Sequence, residues 1–190
     1  FGADLLRGTW AQTLCLCVAL FSILFGSSMA VKEQHMKRRL AYSTMSNLSY
    51  VLFGVLLMTP QGLTAGLTHM LYHGLMKIVL FLCIGAVMTK AHGRFVQDLR
   101  GLGRRMPMVS AVFMLGALSL TGIPPLPGFQ SKWLLAEAGI QGGVMGIIGA
   151  AVLIISAVLT AMYALVPAIS LYRENPAQPA EKAEPGWRML

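Results

Sequence analysis

A chain of 190 residues that is 56% hydrophobic and only 12% charged, with a mean hydropathy of +0.67, departs from soluble domains, where about a quarter of residues are charged. Composition therefore excludes an ordinary soluble enzyme and predicts an integral membrane protein lying in the lipid bilayer. The formal net charge of +8 does not point to nucleic acid, because the basic residues cluster between apolar segments and form no groove for phosphates.

The chain begins at Phe1 and enters its first apolar segment, Thr9 to Val31, almost at once. No small-residue cleavage pattern marks a signal peptide there, and the chain is expected to be a piece of something larger. A second segment runs from Leu40 to Met58 and ends at Thr59-Pro-Gln-Gly62. Cys15, Cys17 and Cys83 all fall inside apolar segments without metal-ligand spacing, and read as packing residues. No haem, flavin or cluster ligands are visible, and no cofactor or metal is expected.

The third segment, Leu67 to Met88, is long enough to cross a bilayer core and carries Lys77 near its centre. A lysine there costs roughly 2.5–3.5 kcal/mol on insertion scales, so the default reading is functional. His69, His73 and Lys77 recur every four residues. Steps of four on a helix drift by only about 40° and rise about 6 Å, which makes one polar stripe. Titratable groups along a membrane helix suggest a proton path; the plainer reading of each histidine is a satisfied polar contact between helices.

The fourth segment begins near Met108, is interrupted by Gly122-Ile-Pro-Pro-Leu-Pro-Gly128, and resumes from Phe129 to Gly139. Three prolines remove backbone donors and clash with preceding carbonyls. Freed backbone groups are tolerated at membrane depth only in a protein interior or beside water, and such discontinuous helices mark ion sites in transporters. Lys132 follows the break and Glu137 lies one turn beyond. The alternative is a loop between two short apolar pieces with a snorkelling lysine. The fifth segment is Val144 to Leu171. Residues 1–171 thus form a transmembrane domain, and 172–190 a polar, proline-rich tail expected to be flexible or surface-bound.

The chain is thus expected to be an all-α integral membrane fold of about five transmembrane helices, one of them discontinuous at Gly122–Gly128. It places the connections after segments one, three and five on the same side of the membrane. Those regions hold twelve of the fifteen basic residues; the opposite side has Arg7, and Lys77 and Lys132 lie inside. By the positive-inside rule the basic side is cytoplasmic.

Four segments carry a family resemblance: Lys37-Arg-Arg-Leu-Ala-Tyr-Ser-Thr44; His69-x-x-x-His73-x-x-x-Lys77-x-x-Leu-Phe81 followed by Gly85; Asp98-Leu-Arg-Gly-Leu-Gly-Arg-Arg-Met-Pro107; and Gly122-Ile-Pro-Pro125 with Gly128-Phe-Gln-Ser-Lys132. In order and spacing the chain resembles the membrane subunits shared by NADH:quinone oxidoreductase (complex I), Mrp-type sodium/proton antiporters and membrane-bound hydrogenases. Its wording at His-Gly-Leu-Met-Lys and Ser-Lys-Trp resembles Mrp antiporter subunits of the D class and hydrogenase-linked relatives.

The resemblance covers only the second of the family's two inverted repeats, and the first repeat's glutamate–lysine pair has no counterpart. It implies a proton-translocating, non-catalytic subunit working with other membrane subunits, in a bacterial inner membrane. Taken with the stripe, it makes Lys77 the central proton carrier, since burial disfavours the charged form of an amine. His73 and His69 pass protons along the same face. Lys132 resembles the terminal carrier. Glu137 is either its ion partner or an interfacial helix-end carboxylate. Lys37 is either the family's entrance lysine or, like Arg38 and Arg39, a topology-setting charge. Tyr42, Ser43 and Ser46 either hold water in the path or join helices. Three functions follow: proton translocation in a redox-driven complex, sodium/proton exchange without redox chemistry, or a helical scaffold without transport.

Overall fold

Helix ends in this chain are set by local chemistry as much as by hydropathy. The computed structural model describes residues 6–173. Helix α1, Trp10–Lys32, starts where the Thr9 side chain accepts from the Gln12 amide at 3.4 Å. Helix α2 is Met36–Leu56, and α3, Pro60–Lys90, is capped by Thr59, whose hydroxyl accepts from the Gly62 amide at 3.0 Å. Proline at the first position of α3 costs nothing, because that amide has no intrahelical partner. A 3-10 turn at Val96–Leu99 and a short helix α4, Leu102–Arg105, lead to α5, Pro107–Thr121. Then come α6, Pro127–Gln141, and α7, Gly143–Ser170. Among the described residues, a single antiparallel bridge between His35 and Phe95 is all the extended pairing there is.

The five expected crossings correspond to α1, α2, α3, the pair α5–α6, and α7. Two boundaries move. Helix α3 begins at Pro60, seven residues before the apolar pattern does, because Thr59 and Pro60 form a cap and first turn. Helix α2 begins at Met36, so Lys37, Arg38 and Arg39 belong to its first turn. The 3-10 turn and α4 lie in a basic connection and are too short to show any periodicity in the sequence. The tail from residue 174 onward lies outside the described residues.

Helices α1, α3 and α7 are long and apolar enough to cross a membrane by length and composition. The 31 residues of α3 extend about 46 Å, more than the roughly 30 Å hydrocarbon core. Helices α5 and α6 have 15 residues each, about 22 Å, and cross only as a pair. Helix α2 is less apolar because its polar side faces inward. Ser43, Ser46, Asn47 and Ser49 are buried, whereas Leu48, Leu52 and Val55 are exposed. The same inversion holds on α3, where His69, His73 and Lys77 are buried while Leu67, Leu71, Leu75 and Ile78 face outward. In water that arrangement would be unfavourable; in lipid it is the expected one.

Around the bundle, α1 packs on α2, α2 on α3, α3 on α5 and α6, and α7 closes the ring against α5, α6 and α1. Two apolar clusters fill the ends. One joins Ala30, Met36, Leu40, Leu80, Ile84, Phe113 and Ala168; the other joins Leu16, Ile23, Phe53, Leu57, Ala65, Leu135 and Leu153. On four helices buried polar residues fall between these sets: Ser27 on α1, Ser43 to Asn47 on α2, His69 and His73 on α3, Ser156 and Thr160 on α7; Ser131 on α6 joins them through His69. The bundle thus has a polar layer enclosed by two apolar ones.

Candidate functional site

Lys77 leaves the middle of α3 with only 6% of its surface exposed. Its Nζ crosses to α2 and donates to the Leu40 carbonyl at 2.8 Å and to Ser43 Oγ at 2.7 Å. No carboxylate is buried among the described residues. The amine is therefore held by neutral oxygens, without the counter-ion that a permanently charged buried group requires.

One turn toward the N-terminus, His73 is buried and neither ring nitrogen has a hydrogen-bond partner. Its ring lies 5.9 Å from that of His69, 19° from parallel. His69 is fully buried, with Nδ1 2.9 Å from Ser131 Oγ on α6 and Nε2 without a partner. Which of that nitrogen and hydroxyl donates depends on the tautomer. The His69 ring also stacks on Tyr50, with centroids 5.2 Å apart.

The stripe on α3 meets the broken crossing at this point. Gly122, at φ +93°, closes α5 in the left-handed conformation that glycine adopts without strain, its amide donating to the Leu118 and Ser119 carbonyls. The next carbonyls would otherwise be open. Lys132 Nζ donates to Leu120 O at 2.7 Å and Thr121 O at 3.0 Å, so an amine from one half-helix caps the other. The negative end of the α5 dipole favours a cation there. The two halves approach closely at Gly128, where a Cβ would overlap the Ser119 carbonyl. Lys132 Nζ also lies 5.9 Å from the Tyr50 ring centroid, within cation–π range. Tyr50 thus touches both His69 and Lys132, and Ser131 links His69 to the first turn of α6 through its bond to Gly128 O.

Four of the expected residues, Lys77, His73, His69 and Lys132, converge in this way. Lys37 and Glu137 lie outside the array. Lys37 is exposed on the first turn of α2. Glu137 is exposed and lines a surface groove of about 320 Å³ with Pro60, Gln61 and Thr64. Positions 132 and 137 are five residues apart, about 140° around a helix, so the two side chains point apart. Tyr42 is half-buried against the apolar cluster of Lys77's end of the bundle, not in the polar layer.

Further residues join the polar layer without standing out in the sequence. Ser27 Oγ lies 2.7 Å from Ser46 Oγ and 2.6 Å from Ser156 Oγ, which joins α1, α2 and α7. Thr160 and Tyr163 continue that face of α7, and Asn47 donates to Ser43 O at 2.8 Å. A signal for them exists. Ser43, Ser46, Asn47 and Tyr50 are spaced three, four and seven apart, as are Ser156, Thr160 and Tyr163 at four and seven, which is the spacing of one helix face.

Comparison with known proteins agrees with this architecture. Residues 3–163 match the family described as NADH:quinone oxidoreductase/Mrp antiporter, TM. Over 167 residues, 88% of this chain, the sequence is 35% identical to NADH-quinone oxidoreductase subunit N of Desulforudis audaxviator, covering 33% of that protein. It is 36% identical over 145 residues to hydrogenase-4 component B of Escherichia coli, covering 68% of this chain and 22% of that one. In structure, 97% of the chain superimposes on 34% of a chain of the Mrp complex from Dietzia sp., with a TM-score of 0.85 and 34% identity. A chain of respiratory complex I from Thermus thermophilus gives a TM-score of 0.82 at 27% identity, over 90% of this chain and 36% of that one. The chain spans about a third or less of the length of these relatives. The protein belongs to the NADH:quinone oxidoreductase/Mrp antiporter transmembrane family.

Proposed function

We propose that this chain carries protons across a membrane as an antiporter-like, non-catalytic subunit of a larger complex. One observation supports the reading above the others: a buried amine, two buried imidazoles and a second amine at a broken helix form one array with no buried carboxylate to fix their charges. Lys77 in its ammonium form hands a proton toward His73, whose ring nitrogens are free to take it on one side and release it on the other. His69 continues the step, and Ser131 and Tyr50 bring it beside Lys132. The relatives span far more chain than this one, so the earlier part of the path and the driving reaction come from other segments or subunits. With the basic connections facing the cytoplasm of a bacterial cell, Lys77 lies nearer that side.

Sodium/proton exchange without redox chemistry is the second reading, favoured by the 34% identity to a chain of an Mrp complex. Proton movement by the parent complex, followed in proteoliposomes with a pH-sensitive dye, tests both. Lys77→Ala is expected to lower the flux at least about a hundredfold, the range associated with a positioned proton-transfer group. An unchanged flux would leave only the scaffold. Flux that requires sodium and ignores a quinone-coupled electron donor selects the second reading.

A further inference from the structure

Arg39 is the one arginine of the first turn of α2 that is buried, with 5% of its surface exposed beside exposed Lys37 and Arg38. Its guanidinium binds three backbone carbonyls on two other helices. Nη2 donates to Val31 O at 2.8 Å and Nε to Glu33 O at 2.8 Å, both at the C-terminal end of α1. Those carbonyls are orphaned by the end of the helix, so a cation there is expected. The third bond is different. Nη1 donates to Tyr163 O at 3.1 Å, in the interior of α7. A carbonyl inside a helix ordinarily accepts from the amide four residues on. Four residues on from Tyr163 is Pro167, which sits inside α7 and has no amide hydrogen.

Water cannot readily replace that bond. The space beside Arg39 and Tyr163 is walled by Met36, Leu40, Leu80 and Phe113 and amounts to about 10 Å³, the lower limit for a single molecule. What Arg39 holds in place is also specific. Tyr163 is buried, and its hydroxyl lies among Ser43, Thr160 and Asn47 without a well-aligned hydrogen bond to any of them. Ser43 is the hydroxyl to which Lys77 donates.

We infer that Arg39 is a positioning residue for the relay: it supplies the hydrogen bond that Pro167 takes from the Tyr163 carbonyl, and so holds the polar face of α7 against Ser43 and Lys77. Arg39 touches neither amine nor imidazole of the array, and it acts through the backbone of α7. The fork geometry matters, because a lysine ammonium at the same place could not serve two helices in three directions. This inference rests on the proton-relay reading for its functional consequence, but not for its structural one.

The test is a double-mutant cycle in the assembled parent complex. Arg39→Gln is compared with wild type, and Arg39→Gln/Pro167→Ala with Pro167→Ala, because alanine at 167 restores an amide for Tyr163 O. Two quantities are read: proton flux per assembled complex, and amide hydrogen exchange over residues 160–172. R39Q loses the Val31 and Glu33 bonds in either background, but leaves the Tyr163 carbonyl without a donor only where Pro167 is present. Against wild type it is therefore expected to lower flux and to raise exchange over residues 160–172 about tenfold. Against P167A, the same change is expected to raise that exchange by no more than about twofold, and to lower flux less than it does against wild type. Equal losses in the two backgrounds, in both readouts, would overturn the assignment and leave Arg39 as a cap on α1 alone. If R39Q does not assemble, recovery of assembly in the double variant supports the coupling and its absence opposes it. Arg39→Lys, which keeps the charge but not the fork, is compared in the same two backgrounds, with the same outcomes expected in exchange over residues 160–172. If Lys77→Ala leaves flux unchanged, the relay reading fails while the exchange measurement still decides the role of Arg39.

Discussion

Lys77 leaves an unbroken helix and finds its partners across the bundle, on α2, whereas Lys132 leaves a half-helix and finds its partners on the other half of the same crossing. Both amines are held by oxygen without a carboxylate, but the oxygens differ in what they can do. Ser43 Oγ accepts from Lys77 and can itself donate onward. The Leu120 and Thr121 carbonyls can only accept, and they are available because the helix ends there. The same side chain therefore meets an oxygen able to pass a proton on in one region, and in the other only oxygens that the end of a helix leaves open. Removing Lys132 leaves two carbonyls at the end of α5 open, whereas removing Lys77 leaves the Leu40 carbonyl and the Ser43 hydroxyl inside the continuous helix α2.

That contrast can be broken at its base by Gly128→Ala. A Cβ would overlap the Ser119 carbonyl where α5 and α6 cross, and neither backbone can yield easily. The expected outcome is the largest stability loss in the molecule, at least about 3 kcal/mol, seen as loss of assembled complex in detergent. A normal yield and melting temperature would show that the two halves are not tightly seated. A smaller effect separates capping from proton carriage at Lys132. Lys132→Ala loses two hydrogen bonds, about 1–3 kcal/mol of stability, and loses flux. Lys132→Arg can still donate to the carbonyls but does not release a proton, so it is expected to keep stability and lose flux. Equal flux in wild type and the arginine variant would make Lys132 a cap and nothing more.

The smallest contrast is within the stripe. His69→Ala removes a bond to Ser131 and a stacked ring on Tyr50, so thermal stability is expected to fall by about 1–2 kcal/mol along with flux. His73 has no hydrogen bond to lose. His73→Ala is expected to lower flux about a hundredfold or more, and, with a cavity left but no hydrogen bond lost, to cost less stability than His69→Ala. If the two variants prove equally stable, the different surroundings of the two rings are not the energetic difference described above.

What is legible in the sequence of this molecule is what repeats along one helix. Apolar runs of bilayer length locate the crossings, and the four-residue recurrence of His69, His73 and Lys77 shows which face carries them. Prolines and glycines between Thr121 and Phe129 locate the break for a steric reason that holds in any context. Features that depend on a meeting of distant segments are not legible. Ser131 pairs with His69 across 62 residues, and Arg39 reaches the Tyr163 carbonyl across 124. In the sequence Arg39 is one of three adjacent cations, and only the packing of α7 and the missing amide of Pro167 single it out. Lys37, two positions earlier, turns outward for the same geometric reason that Arg39 turns inward, since two residues are about 200° of helix. The early start of α3 escapes a reading by hydropathy, because the Thr59-Pro60 cap that marks it is a local signal in a polar stretch.

A relay requires Lys77 to exchange a proton, not merely to bear a charge. Lys77→Arg tests that directly, because a guanidinium keeps the positive charge and can still donate to Leu40 O and Ser43 Oγ, yet does not deprotonate in a protein. With the parent complex in proteoliposomes and assembly matched to wild type, proton flux in this variant is expected to fall to the level of Lys77→Ala. Flux at the wild-type level would mean that charge at this position suffices, and would contradict the relay.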